Sequence, residues 1–247
     1  MKRLIAGPRA VQEALSGRAD RIHVIYYEHE VSRSARPVLE QAAAKRVRAE
    51  ARDRDALDAL AQGLRHQGLL AITGDYPYVS LPELLAKCGD APLIVALDQI
   101  QDPHNLGAII RSAVAFGAAG VITLKDRAAP VTPVVVRASA GATEQGLIVR
   151  VTNLSRTLMQ LREQDMQIIG LAGEGDTDLG DLPENNSGQV LVIGSEGSGL
   201  RPLVKKQCDY LTRIPMPGPI ASLNAAVAAG IAIHACHKRQ QQRTSTT

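Results

Sequence analysis

The sequence predicts an α/β protein, with a mainly parallel sheet in its larger C-terminal part and a small α/β unit in front of it. From about residue 93 onward, short apolar runs alternate with segments of helical periodicity, as in βαβ units. The runs are apolar throughout, which is typical of strands buried on both faces of a parallel sheet. Turn-forming residues cluster between residues 74 and 92 and predict a break between the two parts.

The N-terminal part carries two helix patterns and two strand patterns, which are enough for a small α/β unit. The helices are predicted over residues 10–15 and 36–48, and the strands over residues 22–26 and 69–72. Together with the break, these patterns predict three segments of the chain, namely a first domain over residues 1–74, a linker over 75–91 and a second domain over 92–247.

The C-terminal part repeats strand and helix several times. Asn105 is the predicted N-cap of its first helix and Asn153 of its second, because Asn side chains accept hydrogen bonds from the first helical N–H groups. Helices are predicted over residues 106–116, 153–164 and 222–237. Buried strands are predicted over residues 93–97, 121–124, 147–151, 167–172, 190–193 and 210–215.

The composition limits the class of protein. Half of the 28 lysines and arginines lie in residues 1–90, although the net charge is only +3. These basic residues either form solvated helix faces, since acids are interleaved with them, or contact phosphate groups. Only 2% of the residues are aromatic, so an RNA partner would be held by Arg, Lys, backbone amides and shape rather than by base stacking.

The cysteines and the hydropathy pattern indicate the cellular compartment. Cys88, Cys208 and Cys236 lie far apart and form no C-x-x-C pair, which argues against a zinc site or a disulfide framework. No stretch approaches the roughly 18 apolar residues of a membrane span. Polar residues also interrupt the N-terminal apolar run too early for a signal peptide. We therefore expect a cytoplasmic protein that binds neither a metal nor a membrane.

Three short stretches place Gly, Asn, Ser or Glu where a strand should end and a helix begin. They are DPHNLG at 102–107 with Arg111 behind it, GSEGSGL at 194–200, and IPM at 214–216 running into SLN at 222–224. In an open α/β sheet, ligands bind at such junctions. The sequence therefore predicts one composite site built from all three stretches.

Glu196 decides what kind of ligand the second stretch can take. The stretch lacks the Gly-Lys-Ser/Thr of a P-loop and does not match G-x-G-x-x-G. A carboxylate inside a phosphate-binding loop would repel the anion that a helix N-terminus attracts. Glycine backbone beside a carboxylate suits a neutral or cationic ligand instead, and a plain glycine turn without a ligand is the alternative.

The other two stretches also leave a structural alternative open. Asn105 could serve only as a helix cap, and Ser222 could cap the last helix. Arg111 lies among apolar neighbours six residues after Asn105 and offers a donor fork that suits phosphate. An apolar slot for a purine ring could be formed by Ile214, Met216 and Leu223.

Taken together, the stretches resemble the three motifs of the SPOUT superfamily of RNA methyltransferases, in its TrmH branch of ribose 2′-O-methyltransferases. The resemblance rests on Asn105 with Arg111, on Gly194-x-Glu196-x-x-Gly199, and on 214–216 with Ser222-Leu-Asn224. It extends to residues 5–7, 10–11, 66–68, 97–98 and 150–154, and so covers nearly the whole chain.

The resemblance implies a fold, a cofactor and partners. It implies a deep trefoil knot in the C-terminal domain, one of the rare exceptions to the rule that chains are unknotted. It implies a small N-terminal domain similar to the RNA-binding fold of certain ribosomal proteins, and a homodimer with its site at the subunit interface. The methyl donor would be S-adenosylmethionine. The most similar members methylate a guanosine ribose in the peptidyl-transferase region of 23S rRNA, so the partner would be that rRNA or a large-subunit assembly intermediate.

The resemblance also assigns roles to residues. In the family, the arginine that matches Arg111 is a proposed base, primed by a substrate phosphate. Because a guanidinium rarely gives up its proton, we favour Arg111 as a clamp on the phosphate that also polarises the 2′-hydroxyl. The catalytic residues implied are Asn105, Arg111, Glu196, Ser222 and Asn224, and the donor-binding residues are Ala172, Gly173, Gly194, Gly199, Ile214, Met216 and Leu223.

Three other functions are compatible with parts of the pattern. The enzyme could act on a tRNA or on a different rRNA nucleotide. A non-catalytic rRNA-binding protein would have no reason to keep Asn105, Arg111, Glu196 and Asn224 together. A Rossmann-type dehydrogenase is disfavoured by the position of the glycines and by Glu196.

Overall fold

The structure is a computed structural model that describes residues 3–183, 187–219 and 222–244. Its chain forms two compact units. Unit 1 comprises Met1–Pro77 and Val131–Gln145, and unit 2 comprises Tyr78–Pro130 and Gly146–Thr247. Residues 131–145 therefore pack with the N-terminal part, although they follow the predicted break in the chain.

The elements alternate between strand and helix along most of the chain, as the apolar runs predict. The strands are β1 Arg3–Ala6, β2 Ile22–Glu28, β3 Ala49–Arg52, β4 Leu69–Thr73, β5 Leu93–Asp98, β6 Gly120–Leu124, β7 Ile148–Val151, β8 Gln167–Leu171, β9 Thr177–Asp178, β10 Gln189–Gly194 and β11 Tyr210–Arg213. The α-helices are α1 Pro8–Arg18, α2 Arg36–Ala44, α3 Arg54–Ala61, α4 Leu81–Leu85, α5 Pro103–Ala115, α6 Pro133–Ala138, α7 Leu154–Arg162, α8 Pro202–Lys205 and α9 Ala225–Thr244.

Unit 2 is built on a seven-stranded sheet in the order β7-β6-β5-β10-β8-β11-β9. All of its strand pairs are parallel, which confirms the predicted parallel sheet. The central strands β5 and β10 are buried along almost their whole length, as their uninterrupted apolar runs require. A buried cluster that includes Ile94, Ile122, Leu158 and Val192 forms the core. The trefoil knot stays a prediction.

Unit 1 contains a four-stranded sheet in the order β1-β4-β2-β3. Strand β4 is antiparallel to both of its neighbours, whereas β2 and β3 are parallel. The core contains the fully buried Ile5, Leu15, Ile25 and Leu57. This sheet places β3, which carries the charged residues Glu50 and Arg52, at an edge.

The sequence patterns miss several short elements. The predicted helix over 36–48 is too long, because α2 ends at Ala44 and Arg46 adopts a left-handed φ of 57° on the way into β3. Helices of four or five residues are too short to show a periodicity. The elements that the sequence did not predict are β1, β3, α3, α4, α6, α8 and β9.

Helix caps explain two further differences. The prediction that Asn105 caps its helix is wrong, because α5 begins at Pro103 and the carboxylate of Asp102 accepts from the N–H groups of His104 and Asn105. Proline favours the first helical position, which moves the cap upstream. The cap predicted at Asn153 is confirmed, since its side chain accepts from the N–H of Arg156.

We find no helix among residues 3–183, 187–219 and 222–244 whose length and apolar character would let it span a lipid bilayer. The same described residues hold no group of three or more His, Cys, Asp or Glu side chains placed to bind a metal ion.

A buried ion pair ties residues 131–145 to the rest of unit 1. Glu144 accepts from Arg3 at both oxygens, at 2.6 and 3.0 Å, and the two residues are only 2% and 7% exposed. The hydroxyl of Tyr76 donates to the carbonyl of Thr143 at 2.7 Å. Burial raises the pKa of Tyr76 to about 12, so this hydroxyl stays protonated. Arg18 also donates to the Thr143 carbonyl.

We expect Glu144→Ala to lower the free energy of unfolding of unit 1 by about 3–5 kcal/mol, because it leaves the guanidinium of Arg3 buried without its carboxylate. Urea unfolding of the full chain measures this change. Glu50→Ala is the control, since it removes the pairs with the exposed Arg48 and Arg52 in the same unit and should cost less than about 1 kcal/mol. Equal losses in the two variants would contradict the prediction.

Candidate functional site

The site lies at the edge of the unit 2 sheet where the parallel strands end. The last residues of β5 and β10, Asp98 and Gly194, pair with each other in the sheet. On the other side of β10, strand β8 ends at Leu171, which pairs with Ile193. The segments that follow these strands therefore leave the sheet side by side. The first two predicted stretches begin at this edge, as the general rule for open α/β sheets requires.

Glu196 is the point at which the three predicted stretches meet. Its Oε1 accepts from the side-chain amide of Asn105 at 3.1 Å, from that of Asn224 at 2.5 Å, and from the backbone N–H of Ala225 at 3.2 Å. The amide of Asn224 also donates to Oδ1 of Asn105 at 3.0 Å. Three residues that are far apart in the chain thus form one hydrogen-bonded cluster, as the sequence predicts.

Asn224 has two functions in this cluster. Its Oδ1 accepts from the N–H groups of Ala226 and Val227, so Asn224 caps helix α9. The interpretation that Ser222 caps this helix is wrong, because α9 begins only at Ala225. While the oxygen of the Asn224 amide caps the helix, its nitrogen donates to Glu196 and Asn105. The start of α9 is therefore fixed relative to the loop of Glu196.

The loop after β10 needs its glycines. A Cβ on Gly194 would lie 2.2 Å from the carbonyl carbon of Gly199, so no side chain fits there. Gly197 and Gly199 have φ angles of 81° and 60°, in the left-handed region that glycine adopts most easily. A bridge between Ser195 and Gly199 closes the loop. The loop is a tight glycine turn, and it also carries the carboxylate at which the cluster meets.

A cavity of about 540 Å³ opens beside this cluster, which is the size of a typical small-molecule site. Ten of the predicted residues line it, namely Ala172, Gly173, Gly194, Glu196, Gly199, Ile214, Met216, Ser222, Leu223 and Asn224. The other residues described as lining it are Leu171, Glu174, Ile193, Ser195, Gly197, Ser198, Ala225 and Ala228. Asn105 lies behind this wall and contacts the lining residues Glu196 and Asn224.

The charge of the cavity wall favours a cationic or neutral ligand. Within the described part of the chain, the charged residues in the wall are Glu174 and Glu196. A hydrogen bond from Lys205 to Glu174 lowers the pKa of this carboxyl group, which is therefore ionised at neutral pH. Glu174 is not among the residues predicted from the sequence, because it lies on the segment after β8, outside the three stretches. Its position directly after Ala172-Gly173 at a strand end was the available signal.

Arg111 is not brought to this cavity within one chain. It lies on α5, and its side chain is exposed, whereas Asn105 on the same helix is buried. Six residues correspond to about one and two-thirds helical turns, so the two side chains leave the helix on different faces. Of the five predicted catalytic residues, the structure therefore brings together Asn105, Glu196, Ser222 and Asn224, and places Arg111 elsewhere.

Known proteins resemble the chain along nearly its whole length. YacO of Bacillus subtilis, a TrmH family protein, is 36% identical over 96% of this chain and 95% of its own. The 23S rRNA (guanosine-2′-O-)-methyltransferase RlmB of Pseudomonas putida is 38% identical over 97% of this chain and 98% of its own. The crystal structure of the SpoU methyltransferase AviRb from Streptomyces viridochromogenes, in complex with AdoMet, superposes with a TM-score of 0.82. It has 27% identity, over 97% of this chain and 90% of that one.

Two family descriptions match consecutive parts of the chain. Residues 4–79 match the family described as RNA 2′-O ribose methyltransferase substrate binding. Residues 92–234 match the SpoU rRNA Methylase family. The second match contains the sheet of unit 2, the cluster around Glu196 and the cavity beside it. The chain therefore belongs to the SpoU rRNA methylase family.

Proposed function

We propose that this protein transfers a methyl group from S-adenosylmethionine to the 2′-hydroxyl of a guanosine ribose in the peptidyl-transferase region of 23S rRNA. The observation that carries the proposal is the cluster of Asn105, Glu196 and Asn224 beside a nucleoside-sized cavity with an anionic wall. The nearly full-length similarity to RlmB supports the rRNA guanosine as the substrate. The AdoMet complex of AviRb supports the methyl donor.

The residues of the cavity fit this methyl donor. An apolar slot formed by Leu171, Ile214, Met216 and Leu223 suits a purine ring. Glycine backbone at 194–199 allows close approach of a ligand, because no Cβ atoms project from the glycines. The carboxylates of Glu174 and Glu196 favour the positive charges that the donor carries at its sulfur and its amino group.

When bound, the donor would supply an electrophilic methyl group. As this group bonds to the ribose oxygen, its bond to sulfur would break and the hydroxyl proton would pass to water. The chain has to align the hydroxyl and favour the loss of its proton. We assign alignment to Asn105, Ser222 and Asn224, with Glu196 holding the amides of Asn105 and Asn224 in place. We assign to Arg111 the clamping of a substrate phosphate next to the hydroxyl.

We further propose that the active form is a homodimer and that Arg111 serves the site of the partner subunit. Arg111 is exposed on α5, which packs against α9 in the same chain. Val227 and Ile231, one turn apart on α9, are 51% and 43% exposed. An apolar strip of this kind on a helix beside an exposed arginine supports a contact between two copies of the chain.

For the RNA-binding part, we propose residues 1–74, with 75–91 as the linker to a catalytic domain over 92–247. Exposed guanidinium groups of Arg48, Arg52 and Arg54 lie on or next to the edge strand β3. Arg52 lies over the ring of Tyr26 at 5.0 Å, which holds one of these cations in place. The RNA partner would be 23S rRNA or a large-subunit assembly intermediate, and the location would be the cytoplasm.

Two measurements test this function. Calorimetry with S-adenosylmethionine should show one donor site in each chain, and an absence of binding would favour a non-catalytic rRNA-binding protein. Mapping of 2′-O-methyl groups in cells that lack the protein should show the loss of one mark on a guanosine in the peptidyl-transferase region. Loss of a tRNA mark, or of a mark on another rRNA nucleotide, would identify the alternative substrate instead.

A further inference from the structure

We propose that Asp98 and Arg201 are a pair of positioning residues that close the base of the loop carrying Glu196. This inference rests on the proposed function, because it concerns how that site is held in shape. Neither residue is among those that line the cavity in the described part of the chain. Their role would therefore be to act on the site through the loop between them.

Asp98 and Arg201 make several contacts, although only Asp98 is buried. Asp98 is fully buried, and its Oδ2 accepts from the backbone N–H of Arg201 at 2.9 Å. Its Oδ1 accepts from Nε of Arg201 at 2.7 Å and lies 2.6 Å from Nη2 of the same guanidinium. The carboxylate thus fixes both the backbone and the side chain of Arg201, while the arginine side chain remains 40% exposed.

Asp98 meets the loop at both of its ends. Gly194, the residue before the loop, pairs with Asp98 in the sheet. Arg201, the residue after the loop, binds the side chain of the same Asp98. The six residues between them carry Glu196 near their start and fold back so that Gly199 approaches Gly194. One residue of β5 therefore determines where the loop leaves the sheet and where it returns.

The same strand also leads to the other half of the cluster. After Asp98, the chain runs through the cap residue Asp102 to Asn105, whose amide donates to Glu196. The pair of Asp98 and Arg201 therefore links the loop of Glu196 to the connection that carries Asn105. Hydrogen bonds at the cluster depend on displacements of a few tenths of an ångström, so the position of the loop should affect alignment in the site.

A buried ion pair is weak evidence for stability alone, because the cost of desolvating the charges offsets much of their attraction. The charge-assisted hydrogen bonds do, however, specify direction, which apolar packing does not. The carboxylate of Asp98 makes such directional hydrogen bonds to both the backbone N–H and the side chain of Arg201. The function of the pair is therefore to fix the position of the loop that carries Glu196.

The test uses the Asp98→Asn variant of the full chain. An Asn side chain places an N–H₂ group where one carboxylate oxygen accepts from Arg201, so it should release the base of the loop. We expect kcat for methyl transfer to fall and the Kd for S-adenosylmethionine to rise, each about tenfold. The KM for RNA should stay unchanged. Arg201→Lys is the second variant, because it keeps the charge and loses the fork; we expect the same changes to a smaller extent.

Asp209→Asn is the matched control. The Oδ1 of Asp209 lies 3.2 Å from Nε of Arg162, and its Oδ2 accepts from the backbone N–H of Ile168 at 2.7 Å. This second pair lies where strands β8 and β11 begin, whereas the pair of Asp98 and Arg201 lies where β5 and β10 end. It should therefore lower stability without changing kcat or the donor Kd at a temperature at which the variants remain folded.

Hydrogen exchange separates this inference from the proposed function, since it requires neither donor nor RNA. Exchange at the amides of residues 195–200 should be about tenfold faster in Asp98→Asn than in the wild type, and unchanged in Asp209→Asn. Unchanged exchange in Asp98→Asn would overturn the inference even if methyl transfer is found. Equal falls of kcat in Asp98→Asn and Asp209→Asn would overturn it too. Faster exchange in a protein that binds no donor would leave the positioning pair intact and disprove the proposed function.

Discussion

The Glu196→Ala variant is expected to lose about 100-fold or more in kcat/KM for methyl transfer while remaining folded. The change removes the acceptor shared by the amides of Asn105 and Asn224 and by the N–H of Ala225. These groups would then form hydrogen bonds with water or with one another. The three segments that meet at Glu196 would no longer be held in fixed relative positions. Single-turnover kinetics with S-adenosylmethionine and the rRNA substrate measure the loss at the chemical step.

Glu196→Gln separates the hydrogen bonds from the charge. A Gln oxygen can accept in place of Oε1, so the cluster can form while the negative charge is absent. We expect a smaller loss of turnover than in Glu196→Ala, together with weaker binding of the cationic donor. Glu163→Ala, an exposed change at the end of α7, is the control and should behave as the wild type. A Glu196→Ala rate within twofold of the wild type would remove Glu196 from the site.

The central strands of unit 2 and the contents of the site could be predicted from the sequence because each has a local signature. Continuous apolar runs identify β5 and β10, since a buried parallel strand has no solvent-facing side. Gly, Asn and Glu after the ends of these runs identify the strand–helix junctions. These junctions carry Glu196 and Asn105, which meet in one cluster. Parallel topology then brings the junctions to one edge without further information.

The remaining features depend on contacts that the sequence does not encode locally. Asp98 is the last residue of an apolar run, and nothing in its neighbourhood indicates that its partner is Arg201, beyond the second stretch. Capping residue types also stand at Asn105 and Ser222, close to the true caps Asp102 and Asn224, and only backbone geometry selects between these positions. Strand β3 alternates small and charged residues at a sheet edge, which resembles an exposed turn.

The position of Arg111 depends on the assembly as well as on the chain. Its spacing from Asn105 correctly indicates different helix faces, whereas the family resemblance implies that both residues serve one site. Both statements hold if the site that receives Arg111 belongs to the partner subunit of the proposed homodimer. Arg111, which is exposed on α5, would then complete a site only in the dimer.

We expect Arg111→Lys to lower kcat/KM about 100-fold, because a lysine cannot present the two parallel donors of a guanidinium to a phosphate. Arg111→Ala should lose more. Near-normal turnover in Arg111→Lys would exclude a forked contact and leave only a role for the positive charge. Binding of S-adenosylmethionine should be unchanged in both variants, since Arg111 is not among the described residues that line the cavity.

Mixing Arg111→Ala with Glu196→Ala then decides which subunit supplies the arginine. Each variant alone should keep about 1% of the wild-type rate or less. If Arg111 reaches across the interface, a mixed dimer contains one site with both residues intact and one site that lacks both. An equal mixture that exchanges subunits freely should therefore regain about one quarter of the wild-type rate. If Arg111 acts in its own chain, every site lacks one of the two residues and the mixture stays as slow as the single variants. Recovery of activity would thus establish the homodimer and the composite site together, because neither a monomer nor a dimer with separate sites can produce it.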